Sequence, residues 1–311
     1  IEMKKDTRFA HILWLAALGS LLLGAAQSVA AGASVSLDLA SVRNQAAIAV
    51  SFDFAPLPAN AGKGVTIALL SGGPSSSVAR ALGRRATFVS ARTGDASPYA
   101  AEGDSASFSD TLLTIVAALA PGARIVNIKI VDKDGSSSPE IVSNGIDRAV
   151  RLKAKVIVIP VGMSGSNSGV AAAVGRALKS GALVVASSGD ESETSPRFPA
   201  NMDGVLAIGA VDAQNTIAQF SNTGSTVLYA PGVDVAGLNE SGAIETTSGA
   251  SHAAAVAGAI FADLWSQNPK LHSAQLASAV RGSATQIADG HGGTGPLMDG
   301  AAALRTIKAG K

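Results

Sequence analysis

Residues 248–269 read SGASHAAAVAGAIFADLWSQNP, a glycine and a serine followed by a long run of small and aliphatic residues closed by a proline. The pattern predicts a helix over 251–267, which Pro269 cannot continue. Ser251 then stands at a helix start, where its hydroxyl and the adjacent backbone N–H sit in the positive end of the helix dipole. That is a place where an oxyanion is stabilised. The plainer role for Ser251 is that of a small residue letting the helix begin tightly against a sheet. Upstream, VIVIPV (156–161) and LVVA (183–186) are apolar at every position, as strands are when helices cover both faces of a sheet. Short β-branched runs at 65–70, 124–131, 155–161, 182–186 and 204–211 alternate with helical stretches at 111–119, 139–152 and 169–179. This alternation predicts an α/β protein of three layers, with a central parallel sheet and helices on both faces. Residues 220–232 read as loop and short strand, and helical pieces follow at 273–280 and 298–307. No clear strand is expected after the serine helix.

Lys4, Lys5 and Arg8 precede an apolar run over 12–26, and the small residues Ser28 and Ala30 follow it. This is the pattern of a cleaved export signal over 1–30. The run, about 15 residues, is shorter than the roughly 20 that a spanning helix needs. A periplasmic or extracellular location is therefore expected. Residues 31–63, rich in Ala, Ser and Pro, form a lead-in segment, and 64–307 is expected to be one domain around one core. Charged residues make up only 15% of the 311, with 24 basic against 23 acidic. No Lys/Arg run lies outside the signal, so neither nucleic acid nor an anionic membrane is implied as a partner. The absence of cysteine excludes disulfides and thiolate chemistry. No metal or cofactor is implied.

The segment 248–269 resembles the serine helix of subtilisin-like peptidases, with Gly249, Ala250 and Ser251 filling the Gly-Thr-Ser tripeptide. Further stretches occur in the family's order: GVTIALLSGG (64–73), ALAPGARIVNIKIV (118–131), ALVVASSGD (182–190), FPANMDGVLAIGAV (198–211) and LYAPGVDV (228–235). The resemblance runs over about 64–304 and implies the subtilisin fold, with Ser251 as the nucleophile position. It also implies that the first strand ends in an aspartate, where this chain has Ser71, and that a histidine opens the next helix. Counting back from Ala120 and Pro121, that histidine falls on Phe108, or one residue later on Ser109. A serine hydroxyl is a weak nucleophile until a neighbour takes its proton, and a phenyl ring cannot. Losing the histidine of a related triad costs on the order of a millionfold in rate, roughly 8 kcal/mol of barrier stabilisation.

The family's oxyanion asparagine is replaced by Asp190, and SSGD resembles the sedolisins, acid-acting relatives with a Ser, Glu, Asp triad. Their Glu and Asp positions fall here on Phe108 and Leu112. A carboxylic acid donates a hydrogen bond to an oxyanion only when protonated. Asp190 has an equally ordinary reading as a cap of the turn before Glu191. Glu102, Asp104 and Asp110 lie near the missing base without matching its position. Phe108 is expected to fill core. His252 is expected to diverge from Ser251 by about 100 degrees, as helix neighbours do. A carboxylate or imidazole within about 3.2 Å of the Ser251 hydroxyl would restore a base.

GASHA also has the form of a nucleophile elbow, with Asp289 and His291 following in α/β-hydrolase order; the lack of expected strands after Ser251 argues against it. The Gly-rich SGGPSSS and VGMSGSNSG fit no phosphate-loop spacing and read as loops. The expectation is an exported subtilisin-like peptidase homologue with an incomplete triad, a pseudopeptidase whose cleft, walled by Pro160, Val161, Gly162 and Met163, takes a peptide or protein ligand by strand addition. The alternatives are an active serine endopeptidase with a displaced or sedolisin-like base, and a structural or interaction module with a vestigial cleft.

Overall fold

The computed structural model describes residues 39, 41–42, 58–92, 97–100, 106–131, 136–288 and 293–309. The signal at 1–30, Glu102, Asp104, Asp289 and His291 lie outside them. In chain order the elements are β1 (Thr66–Ser71), α1 (Ser76–Leu82), β2 (Ala86–Ser90), α2 (Ser107–Leu119), β3 (Arg124–Lys129), α3 (Pro139–Arg151), β4 (Val156–Ile159), α4 (Ser168–Lys179), β5 (Leu183–Ser187) and β6 (Leu206–Val211). Then follow β7 (Val227–Pro231), β8 (Val235–Leu238), β9 (Ile244–Thr247), α5 (Ala250–Gln267), α6 (Ser273–Gly282), β10 (Thr285–Ala288), β11 (Thr294–Leu297) and α7 (Gly300–Ala309).

Nine strands form one sheet in the order β10-β11-β7-β6-β5-β4-β1-β3-β2. Every pairing in it is parallel except β10 with β11. Strand residues feed the two faces alternately: Ile67 and Leu69 of β1 pack with α2 and α5, while Ala68 and Leu70 pack with α3 and α4. This two-sided burial is why β4 reads VIVI without a polar position. The central helix α5 is buried from Ala250 to Trp265. Its small residues let it lie flush on the sheet, and a methyl added at Gly258 would run into Val158.

Two expectations need correction. SGGPSSS is not all loop: Ser75 caps α1, its hydroxyl accepting from Val78 N. Strands do follow the serine helix, since β10 and β11 close one edge of the sheet; their short TQIA and TGPL, with one large aliphatic residue each, carry little hydrophobic signal. Part of the lead-in packs on the domain: Val42 is fully buried against Ala118 and Leu238, and Gly122 N donates to Ala61 O at 2.8 Å.

Candidate active site

The strands β1, β4 and β5 are parallel, so Ser71, Pro160 and Ser187 lie at one end of the sheet, the carboxyl ends where open α/β sheets place their sites. The first turn of α5 faces the same end. Its N-cap, Gly249, has φ +156°, and a side chain there would meet Ser251 Oγ at 3.0 Å, Asp190 Oδ2 at 3.2 Å and His252 Nδ1 at 3.2 Å. Glycine is required at this point because three polar groups converge on it.

Ser251 is 7% exposed. Its Oγ lies 3.2 Å from His252 Nδ1, so the expectation that these neighbours diverge is overturned. Side chains in a first helical turn lean back toward the N-terminus, and with no preceding turn in the way the imidazole folds alongside the serine. His252 is 5% exposed, and its Nε2 is buried with no hydrogen-bond partner among the described residues. Loss of hydration lowers its pKa to about 4, so the ring is neutral at pH 7.

Phe108, in the first turn of α2, packs against that imidazole with ring centroids 6.2 Å apart at 90°. It is 38% exposed, which corrects its reading as core. The following residue, Ser109, abuts the end of β1, its Oγ 2.5 Å from where a side chain on Gly72 would sit. Ser71 itself is fully buried and donates to Asn127 Oδ1 at 2.7 Å, while Asn127 Nδ2 donates to Gly72 O at 3.0 Å. The end of β1 therefore meets the start of α2, and the start of α2 meets the start of α5, as the resemblance implied. The groups that meet there are a hydroxyl, a phenyl ring and a serine beside an imidazole.

Asp190 Oδ1 accepts from Ala250 N at 2.7 Å. It caps α5 from 60 residues away in place of the turn before Glu191, and it acts as an acceptor, where an oxyanion donor would need its proton. The residue as a whole is exposed, yet its carboxyl is drawn against the first turn of α5. Loss of hydration there outweighs the hydrogen bond from Ala250 and raises its pKa to about 6. At neutral pH the carboxylate is charged and opposes negative charge growing beside Ser251.

Asn222 fixes the loop after Asp190. Its Oδ1 accepts from Glu191 N and Glu193 N, and its Nδ2 donates to Ser188 O and Glu191 Oε2. Arg197 spans the same loop, with Nη2 3.1 Å from Glu193 Oε1 and Nε 3.0 Å from Glu191 Oε2, the latter without hydrogen-bond alignment. Its stem lies against Gly162. In the expected cleft wall Pro160 is buried, Val161 and Met163 are half-buried and Gly162 is exposed. Met163 N already donates to Phe198 O at 2.8 Å, so that amide is not open to an added strand.

Of the nearby acids, Asp110 turns away from Ser251: its Oδ1 accepts from Ser75 N at 3.0 Å, and its Oδ2 is buried without a partner among the described residues. Leu112 is fully buried. His272 begins α6, its N–H donating to Gln275 Oε1. The strand β9, which leads into Ser251, belongs to a separate two-stranded hairpin with β8. A nucleophile elbow leaves a strand of the main sheet, so that reading fails here. Sequence reasoning turned His252 away from Ser251 and did not single out Arg197; periodicity says nothing about side-chain lean in a first turn or about a loop folding back on a strand end.

The sequence profile of the subtilase family matches residues 96–296. Thermitase from Thermoactinomyces vulgaris is 32% identical over 187 residues, 58% of this chain and 63% of the relative. Subtilisin DY from Bacillus licheniformis is 30% identical over 181 residues, 57% of this chain and 66% of the relative. The chain thus spans less than two thirds of the length of these relatives. Among solved structures, patellamide maturation protease PatA superposes with a TM-score of 0.69 at 22% identity, over 81% of this chain and 99% of that one. A cold adapted subtilisin-like serine proteinase does so with a TM-score of 0.65 at 24% identity, over 76% and 88%. These likenesses establish a subtilisin-like fold.

Proposed function

The chain belongs to the subtilase family, and from that membership we propose that it is an exported serine peptidase homologue that binds peptides and does not turn over peptide bonds at neutral pH. The observation that carries this reading is Phe108, a phenyl ring against His252 at the point where the family resemblance puts the general base. Two more features support it. Ser71 offers a hydroxyl bound to Asn127 where a carboxylate would orient that base. Asp190 sets a negative charge where an oxyanion would form. Peptide bonds are poor electrophiles, and the missing groups account for most of the millionfold that a related triad loses with its histidine. The ligand is a peptide or protein segment held along Pro160, Val161, Gly162 and Met163, with exposed Gly162 as the point of close approach. Export is supported by the signal pattern at 1–30. Among the described residues no helix is long and apolar enough to cross a membrane.

The 3.2 Å contact between Ser251 and His252 favours a second reading, an active serine endopeptidase with a displaced base. Casein digestion by the purified protein decides between them. The proposal expects none above a Ser251→Ala control, and Ser251-dependent digestion would overturn it. Retention of peptides from an immobilised library is expected as well, and failure to hold any would leave a vestigial cleft on a structural module.

A further inference from the structure

We propose that His252 is a catalytic residue, the proton acceptor for its own neighbour Ser251, and that this pair lets Ser251 be acylated by activated esters. The inference rests on Ser251 as the nucleophile position and adds a base drawn from the serine helix itself.

The geometry supplies three of the conditions. Nδ1 stands 3.2 Å from Oγ, within general-base reach in an unliganded site. The ring is held in place by burial and by the edge contact with Phe108. Ser251 is the second residue of α5, so its backbone N–H is one of the first-turn amides without an intrahelical acceptor. That amide is free of the helix ladder to meet an oxyanion.

Proton movement then follows. With the ring proton on Nε2, Nδ1 accepts the Ser251 hydroxyl proton as Oγ bonds to the acyl carbon. The bond from that carbon to the aryloxy oxygen breaks, and the aryloxide leaves with the electron pair. The imidazolium then gives its proton to water. An aryloxide leaves unprotonated, whereas a peptide amine must be protonated as it departs, so the same pair serves an activated ester far better than a peptide. Two charges bear on the imidazolium. The positive end of α5 opposes it, and Asp190, converging on the same point beside Gly249 with Glu191 behind it, favours it.

The test uses the full chain with p-nitrophenyl acetate. A burst of nitrophenolate approaching one equivalent is expected, with one acetyl group located on Ser251 by peptide mass spectrometry. Ser251→Ala abolishes the label, and His252→Gln slows its formation about 100-fold, the lower range for a general base. Near-ultraviolet circular dichroism confirms that each variant is folded. A second readout is the pH profile. Because the buried imidazole is already neutral, the rate shows no rise centred at the ordinary histidine value near 6.5. Any inflection near 6, from Asp190, disappears in Asp190→Asn. The proposal is overturned if wild-type Ser251 is never acetylated, if folded His252→Gln acetylates at the wild-type rate, or if a rise centred at 6.5 remains after Asp190→Asn. Casein digestion reports separately on peptide turnover, so the two readings fail by different results.

Discussion

Replacing Asp110 with asparagine should make the protein more stable at pH 7 and leave it unchanged at about pH 3. Asp110 is fully buried in the first turn of α2, where the helix dipole favours an anion and Ser75 N donates to Oδ1. Burial wins over both: with a smaller push from the charge of Glu240, it raises the pKa from the ordinary 3.8 to about 6. The native state therefore holds its proton longer than the unfolded chain. The associated stability is full below about pH 4 and is lost as pH rises through 6. The rise corresponds to about 3 kcal/mol at neutral pH. Asparagine mimics the protonated acid, keeps an acceptor for Ser75 N and carries no charge. The expected gain is thus about 2 to 3 kcal/mol at pH 7, shrinking to nothing by about pH 3. His252, whose lowered pKa adds a slope of opposite sign between about 4 and 6.5, is common to both proteins and cancels in the difference. Urea unfolding at half-unit pH steps measures it. A variant no more stable than wild type at pH 7, or a gain that persists undiminished at pH 3, would refute the reasoning.

Gly258→Ala should cost about 1 to 3 kcal/mol in thermal or urea unfolding, because the added methyl is driven into Val158 beneath α5. Arg197→Ala should cost about 1 kcal/mol, since its partners Glu191 and Glu193 are 45% and 47% exposed and such pairs are weak. The same change removes the stem against Gly162, so longer side chains should be retained in the peptide library, and an unaltered profile would show that Arg197 does not shape the cleft. Ser71→Asp combined with Phe108→His puts a carboxylate at the end of β1 and an imidazole against His252 in the first turn of α5. Ser251-dependent peptide hydrolysis should rise at least ~100-fold, and no rise would locate the defect elsewhere, with Asp190 the next residue to change.

The layered α/β architecture was legible because burial on both faces leaves a direct signature: VIVI and LVVA without a polar position, and an alanine-rich helix that only close packing on a sheet explains. The family's motifs in their order added Ser251, Ser71 and Phe108 as one locality, and the contacts between β1, α2 and α5 bring that locality together. What the linear pattern could not hold was direction. Whether His252 turns toward or away from Ser251 depends on side-chain lean in a turn that has nothing before it. Asp190 caps a helix 60 residues away only because β5 ends where α5 begins. The strands β10 and β11 are four residues each with one large aliphatic side chain apiece, too little to show a hydrophobic period. Periodicity reports which residues are buried. The meeting of two polar groups is set by how buried elements end, and only the folded chain decides that.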